Sequence, residues 1–477
     1  MDIYLVTLDA KWERIAETKG IGYHTDISRD ESHALIFSMQ ARSDSNLYLV
    51  DIHSKTSTLL TPHQGPGNYR QSKFSPDGGT IYLATDQDRD LKYFAAIHLT
   101  GEGGKMPLVA LKTRDDAELW TFNISHDGRK AALVWNVAGK CELDVIDLEN
   151  GEHVLCPDIP GEIINNVIFS RCGGLLAITA TGSNLPSSIW IVDMAAGELS
   201  QLVDSQHAGV DLGALIRPTL TTFTAHDGIA LTGWLYVPIN FIAPGPLVIS
   251  FHGGPEAQEM PEFDITYQVL LMREIAVFAP NVRGSSGFGK TFANLDNGSL
   301  RKNAIKDIIS CVDHVVNIGV ADFLRVGIMG GSYGGYMVMA GLTQYPQSFA
   351  AGVNLYGIVN FETFFKFTEP WMASISKIKY GDPETDAALL RELSPIRHIK
   401  NVKAPTLVLH GRNDTNVPVM EAEQLVACLE AQSVPVKFVL FDDEGHGFRK
   451  KQNRIHATVE IVEWFEQYLL YQHDVTN

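Results

Sequence analysis

Val326-Gly327-Ile328-Met329-Gly330-Gly331-Ser332-Tyr333-Gly334-Gly335-Tyr336 combines an apolar run with a serine between glycine pairs. A short apolar run, a serine fenced by glycines and a helix-compatible segment predict a strand, a sharp turn and a helix, with the serine hydroxyl raised above the end of a parallel sheet. Glycine is required on both sides because the turn leaves no room for a Cβ two residues before or after the serine. The serine itself must accept an unfavourable backbone conformation.

A serine hydroxyl is a weak nucleophile until an imidazole takes its proton, and the imidazole needs a carboxylate to hold its tautomer. On this architecture the acid precedes the histidine, and both follow the serine. Ala404 to His410 reads as a buried strand, and the loop Gly411-Arg412-Asn413-Asp414-Thr415-Asn416-Val417-Pro418 places Asp414 at its carboxyl end. Val436 to Phe441 reads as another strand, and Asp442-Asp443-Glu444-Gly445-His446-Gly447-Phe448 places His446 just past it. Ser332, Asp414 and His446 are therefore the candidate catalytic residues. Asp442, Asp443 and Glu444 share a short loop with His446, too short to bring a carboxylate round to the far ring nitrogen, and are expected to face solvent.

Gly-Gly-Ser-Tyr-Gly-Gly, the G-x-x-D-x-x-V-P loop, Asp-Glu-Gly-His-Gly and an upstream His252-Gly253-Gly254-Pro255 together resemble the prolyl oligopeptidase family of serine peptidases, closest to its acylaminoacyl-peptidase-like branch. The resemblance covers residues from about Pro218 onward. It implies that the backbone N–H groups of Gly254 and Tyr333 form an oxyanion hole. It also implies an N-terminal β-propeller, usually of seven blades.

The 477 residues leave room for two domains, and 45% apolar with 20% charged content is ordinary for a globular protein. A net charge of −18 argues against nucleic-acid or anionic-membrane partners. Five scattered cysteines lack C-x-x-C pairing and fit reduced, mostly buried thiols. Met1-Asp2-Ile3-Tyr4-Leu5-Val6 has no basic flank or long apolar core, so no signal peptide or membrane span is expected and the default compartment is the cytoplasm. The histidines show no ligand spacing with carboxylates or thiols, so neither metal nor organic cofactor is expected.

Residues 1–210 carry a repeated frame. Ser28-Arg29-Asp30-Glu31, Ser75-Pro76-Asp77-Gly78, Ser125-His126-Asp127-Gly128 and Ser170-Arg171-Cys172-Gly173 recur at a period of about 45 residues, each followed by two β-like runs. That is the arithmetic of a propeller-like all-β domain of four to five blades. The chain opens in the later half of a repeat, giving about four and a half blades. This shortfall against seven raises two expectations: self-association that covers an open sheet edge, or a more open site.

Asp204 to Arg217 reads as a linker, and residues 211–477 as an α/β-hydrolase domain with a mostly parallel sheet flanked by helices. Thr219 to Ala225 and Ile229 to Val237 read as its opening hairpin, and Pro246 to Phe251 and Ile275 to Pro280 as buried strands. Ile305, Ile308, Ile309, Val312, Val315 and Val316 keep helical spacing. Arg283 either shapes the mouth of the site or pairs with an acidic neighbour. Tyr356, Phe361, Phe364, Phe365 and Trp371 either line an apolar substrate pocket or pack a helix on the core.

These parts predict acyl transfer through a covalent serine intermediate, with short peptides or small acyl esters as substrates. The resemblance favours an exopeptidase or acylaminoacyl-peptidase-like oligopeptidase over a carboxylesterase. A propeller-based interaction protein with vestigial catalysis is the third class.

Overall fold

Serine-aspartate turns organise the first two hundred residues. In each, one serine hydroxyl donates to the side chain two residues on and accepts the backbone N–H five residues on. The serines are Ser28 (Asp30 at 2.7 Å, His33 N–H at 2.9 Å), Ser75 (Asp77 at 2.5 Å, Thr80 N–H at 2.9 Å) and Ser125 (Asp127 at 2.6 Å, Lys130 N–H at 2.9 Å). Ser170 keeps the second bond, to Leu175 N–H at 3.0 Å, but faces the softer Cys172 sulfur at 3.4 Å. The fourth residue of each turn has positive φ, which glycine adopts freely: Gly78 at 73°, Gly128 at 74° and Gly173 at 69°. Glu31 takes the same conformation in the first turn, at 58°.

The computed structural model describes residues 1–18, 20–99, 106–203 and 207–471. Among these, each serine turn joins the first two strands of a four-stranded antiparallel sheet. The sheets run through Gly22–Ile27 to Ser57–Leu59, Tyr69–Phe74 to Leu108–Lys112, Glu118–Ile124 to His153–Leu155, and Ile163–Phe169 to Leu199–Val203. Asp2–Val6 and Trp12–Glu17 make a separate two-stranded sheet. Successive sheets pack face to face: Leu35 and Leu47 of one share a core with Leu83 and Ile97 of the next, whose Ala84 and Phe94 meet Leu133 and Trp135 of the third. This unit is all-β and propeller-like.

The chain forms two compact units, Met1–Val210 with Gly287–Thr291, and Asp211–Ser286 with Phe292–Asn477. The start of the expected linker, residues 204–206, lies outside the described residues. Its continuation docks on the second unit, where Gln268 bonds both the N–H and the carbonyl of Ile216 at 3.0 and 2.9 Å.

The second unit is an α/β hydrolase fold. Its strands are β1 (Thr219–Thr224), β2 (Ala230–Tyr236), β3 (Gly245–Phe251), β4 (Ala276–Asn281), β5 (Ala321–Gly331), β6 (Ala351–Leu355), β7 (Thr406–Gly411) and β8 (Val436–Phe441), in sheet order β1-β2-β4-β3-β5-β6-β7-β8. β2 pairs antiparallel with both β1 and β4, and β3 to β8 run parallel to one another. Every residue of β3, β4 and β7 is buried, as expected for parallel strands covered on both faces.

Alternation along these strands separates two cores. Leu247, Ile249, Phe278 and Ile328 face α2 (Arg301–Asn317) and α3 (Tyr333–Gln344). Val248, Val277, Met329, Leu407 and Leu409 face α1 (Ile265–Met272) and α4 (Lys451–Phe465). The helical spacing is realised in α2, where Ile305, Ile308, Val312 and Val315 are buried while Ile309 and Val316 flank the cluster. No helix among the described residues is long and apolar enough to cross a membrane. Cys141 and Cys311 are buried, but Cys156 and Cys172 are exposed, which corrects the expectation of mostly buried thiols.

Ser125→Ala removes a buried hydroxyl that closes its turn twice. We predict a loss of about 1–3 kcal/mol in the N-terminal unit, read by urea unfolding, and a smaller loss for Ser170→Ala, whose second partner is only a thiol.

Candidate active site

Four adjacent parallel strands each deliver one residue at their carboxyl ends. Ser332 follows β5, Tyr356 follows β6, Asp414 follows β7 and His446 follows β8. The ends are level because Gly331 pairs with Leu355, Leu355 with Leu409, and Gly411 with Phe441. Ligand sites of open α/β sheets form at this edge.

The turn after β5 holds Ser332 at φ 56° and ψ −116°, directly before α3. A Cβ on Gly334 would collide with the carbonyl of Phe251, and one on Gly330 would lie 2.6 Å from the Gly334 backbone. One on Gly335 would come within 2.6 Å of Gly357, so the glycine spacing read from the sequence has a steric cause. Backbone bonds hold the turn at both ends, Ser332 N–H donating to Leu355 at 2.9 Å and Tyr336 N–H to Ser332 at 3.1 Å. Buried Asn354 fastens it to β6 by donating to Gly335 at 2.9 Å and accepting from Gly357 N–H at 3.0 Å.

Asp414 and His446 are joined by a hydrogen bond of 2.7 Å between Oδ2 and Nδ1. The Asp414 side chain is sealed from solvent, whereas that of His446 is 24% exposed. The other carboxylate oxygen accepts the N–H groups of Asn416 and Val417, both at 2.9 Å. His410, buried at the end of β7, bonds the Val417 carbonyl at 2.9 Å and lies 3.5 Å from Asp414 Oδ2. Burial alone would raise the Asp414 pKa, but the bonds from His410, His446 and Val417 outweigh it and hold the group at about 2.

Tyr356 connects the two halves of the arrangement. Its ring meets His446 edge-on at 4.9 Å between centroids, and a Cβ on Gly331 would touch it at 3.0 Å. Burial raises its phenol pKa to about 12. On the other side of the turn, a Cβ on Gly253 would lie 3.6 Å from that of Ser332, and Gly254 follows at φ 116°. His252 is satisfied by Ser285 at 2.8 Å and the Gly253 carbonyl at 2.7 Å, and burial lowers its pKa. Tyr333 is buried at the first position of α3.

Packing decides between the alternatives open for Arg283 and two of the aromatics, and the expectation for Glu444 is corrected. Arg283 is not at a mouth: its side chain is 2% exposed, donating twice to buried Asp307 at 2.7 Å and twice to Asp227 at 2.7 and 2.8 Å. Phe361 and Phe364 belong to the core, where Phe361 packs on Tyr336 and Tyr380 at 5.2 and 4.7 Å. Phe365 and Trp371 are half-buried. Glu444 does not face solvent: it is buried, accepting from Lys450 N–H at 2.9 Å and Asn453 at 2.8 Å, while Asp442 and Asp443 pair with Arg412 and Lys450 at the surface. His410, Asn354 and Glu421, which accepts the N–H groups of Val359 and Asn360 at 2.9 and 2.7 Å, were missed in the sequence. His410 reads there only as the last residue of an apolar run.

The sequence profile of the prolyl oligopeptidase family matches residues 261–471. Those residues are a prolyl oligopeptidase family domain. The chain is 32% identical over 403 residues to dipeptidyl aminopeptidase BIII of Pseudoxanthomonas mexicana, covering 79% of this chain and 56% of that protein. It is 30% identical over 233 residues to the acylamino-acid-releasing enzyme of Arabidopsis thaliana, covering 47% and 30%. The chain thus spans about half or less of these curated relatives. A crystal structure of puromycin hydrolase superposes with a TM-score of 0.87 at 21% identity, covering 97% of this chain and 72% of that one. The elbow and the Asp414–His446 pair fall within these matched residues, whereas the Gly253–Gly254 segment precedes them on the same hydrolase unit.

Because its folded pKa lies below the ordinary carboxylate value, Asp414 contributes stability that is complete above about pH 4. That contribution is lost as pH falls through about 2. Denaturation of the parent and of Asp414→Asn across this window should show a stability gap that narrows as the pH drops.

Proposed function

We propose that this protein is a serine peptidase that cleaves short peptides through an acyl-enzyme, as an exopeptidase or an acylaminoacyl-peptidase-like oligopeptidase. Ser332 attacks the acyl carbon while His446 takes its proton and later returns it to the departing amine. Asp414 fixes the His446 tautomer through Nδ1 and leaves Nε2 for the serine. The N–H groups of Gly254 and Tyr333 stabilise the oxyanion. The observation that carries this reading is the 2.7 Å Asp414–His446 bond, one strand end removed from a serine on a glycine-walled turn. The peptidase names of the relatives support the substrate class.

Tyr356 is retained as the aromatic neighbour of the reacting residues. Phe365 and Trp371, half-buried, are the remaining candidates for contacts with the substrate side chain. Five free cysteines suit a reducing compartment, and we place the protein in the cytoplasm. Self-association belongs to the same proposal: the two-stranded sheet exposes Val6 and Trp12, the turn between its strands exposes Leu8, and an open sheet edge is a template for pairing. Light scattering should give a mass above that of one chain, and a monodisperse monomer contradicts this part.

Blocked and unblocked short peptides assayed beside acyl esters of graded chain length test the activity. Turnover should fall by at least about a thousandfold in Ser332→Ala, with amides cleaved at rates comparable to esters in the parent. Ester turnover alone would reassign the same residues to a carboxylesterase.

A further inference from the structure

A second cluster of reactive side chains lies in the N-terminal unit. Asp144 is on the third strand of the sheet that starts at Glu118, His153 opens the fourth strand, and Cys156 follows that strand. Asp144 Oδ1 lies 2.7 Å from His153 Nδ1 and 3.6 Å from Cys156 Sγ, and Sγ lies 3.7 Å from the same Nδ1.

Two readings compete. In a proton relay the nucleophile and the acid occupy opposite ring nitrogens, as Asp414 does with respect to Ser332. Here thiol and carboxylate both face Nδ1, and the other nitrogen, Nε2, lies 3.4 Å from Lys112 Nζ. A relay is therefore excluded by position, whereas three unlike ligand atoms gathered around one point suit a chelate. In a tetrahedral zinc site with bonds of about 2.0–2.3 Å, sulfur sits about 3.5–3.6 Å from a neighbouring nitrogen or oxygen. The two sulfur edges already have that length. The third edge is short because the imidazole and carboxylate share a proton, and it must open by about half an ångström to reach the ideal edge of about 3.3 Å.

We propose that Asp144, His153 and Cys156 form a binding site for a borderline-soft divalent cation of the zinc class. Thiolate with imidazole selects against magnesium and calcium. Binding releases the thiol proton to solvent and displaces the proton between His153 Nδ1 and Asp144, which passes through solvent to Nε2 as the imidazole changes tautomer and Lys112 swings away, and the metal gains one sulfur, one nitrogen and one oxygen ligand. Three protein ligands leave a fourth position for water, opening on a cavity of about 570 Å³ lined also by Arg114, Glu142 and Asp158. The bound ion would clamp the fourth strand of this sheet to the third. The sequence reading overlooked the site because His153-x-x-Cys156 pairs single residues of two types, and Asp144 joins them only through strand pairing.

The test is titration of the chelator-treated, reduced full chain with Co²⁺. One equivalent should bind, with the visible bands of a tetrahedral ion and a thiolate-to-cobalt charge-transfer band that Zn²⁺ displaces. Cys156→Ser should abolish the charge-transfer band and His153→Asn should weaken binding at least tenfold, while Cys172→Ser, an exposed thiol elsewhere, changes neither. Hydrolytic turnover of metal-free Cys156→Ser should match that of the metal-free parent, which separates this site from Ser332. A charge-transfer band that survives in Cys156→Ser, or its absence from the parent, overturns the proposal.

Discussion

The backbone conformation of Ser332 is the constraint on which the rest of the hydrolase unit depends. A non-glycine residue at φ 56° and ψ −116° carries a cost of about 1–3 kcal/mol and persists only where its surroundings leave no alternative. Those surroundings are specific. Glycines at 330, 334 and 335 let the turn close against Phe251 and Gly357, and Asn354 stitches the start of α3 to β6. The sheet is stiff enough to bear the strain because β3 and its neighbours are buried on both faces.

The same sheet solves the electrostatic part. A carboxylate sealed from solvent would ordinarily take up a proton. Asp414 remains ionised because two backbone N–H groups and two histidines converge on it from the ends of β7 and β8. An ionised acid at this point gives His446 a fixed orientation, with its remaining nitrogen free. Arg283 plays a comparable part deeper in the unit by neutralising buried Asp307. A buried charge is tolerated only when paired, which explains why this arginine belongs to the scaffold.

Much of this architecture was legible in the sequence because it rests on local signals. Glycine spacing marks the elbow, continuous apolar runs mark the doubly covered strands, and the serine-aspartate turns mark the first four-stranded sheets. What was not legible depends on distant partners. The Arg283 segment states a loop but not that Asp227 and Asp307 await its side chain. The aromatics from Phe361 onward could serve a pocket or a core with equal reason, and packing on Tyr336 and Tyr380 decided for the core in Phe361 and Phe364. Glu444 shows the same limit: its acidic neighbours suggest solvent, but the N–H groups of Arg449 and Lys450 draw it inward.

We propose Ser332 as an activated nucleophile served by His446. Covalent labelling with a fluorophosphonate, followed by peptide mass spectrometry, tests it most directly. A single adduct is expected on the Ser332 peptide, formed rapidly by the parent and lost when His446 is replaced by glutamine. An adduct on another residue, or labelling of Ser332 at the same rate without His446, would contradict it.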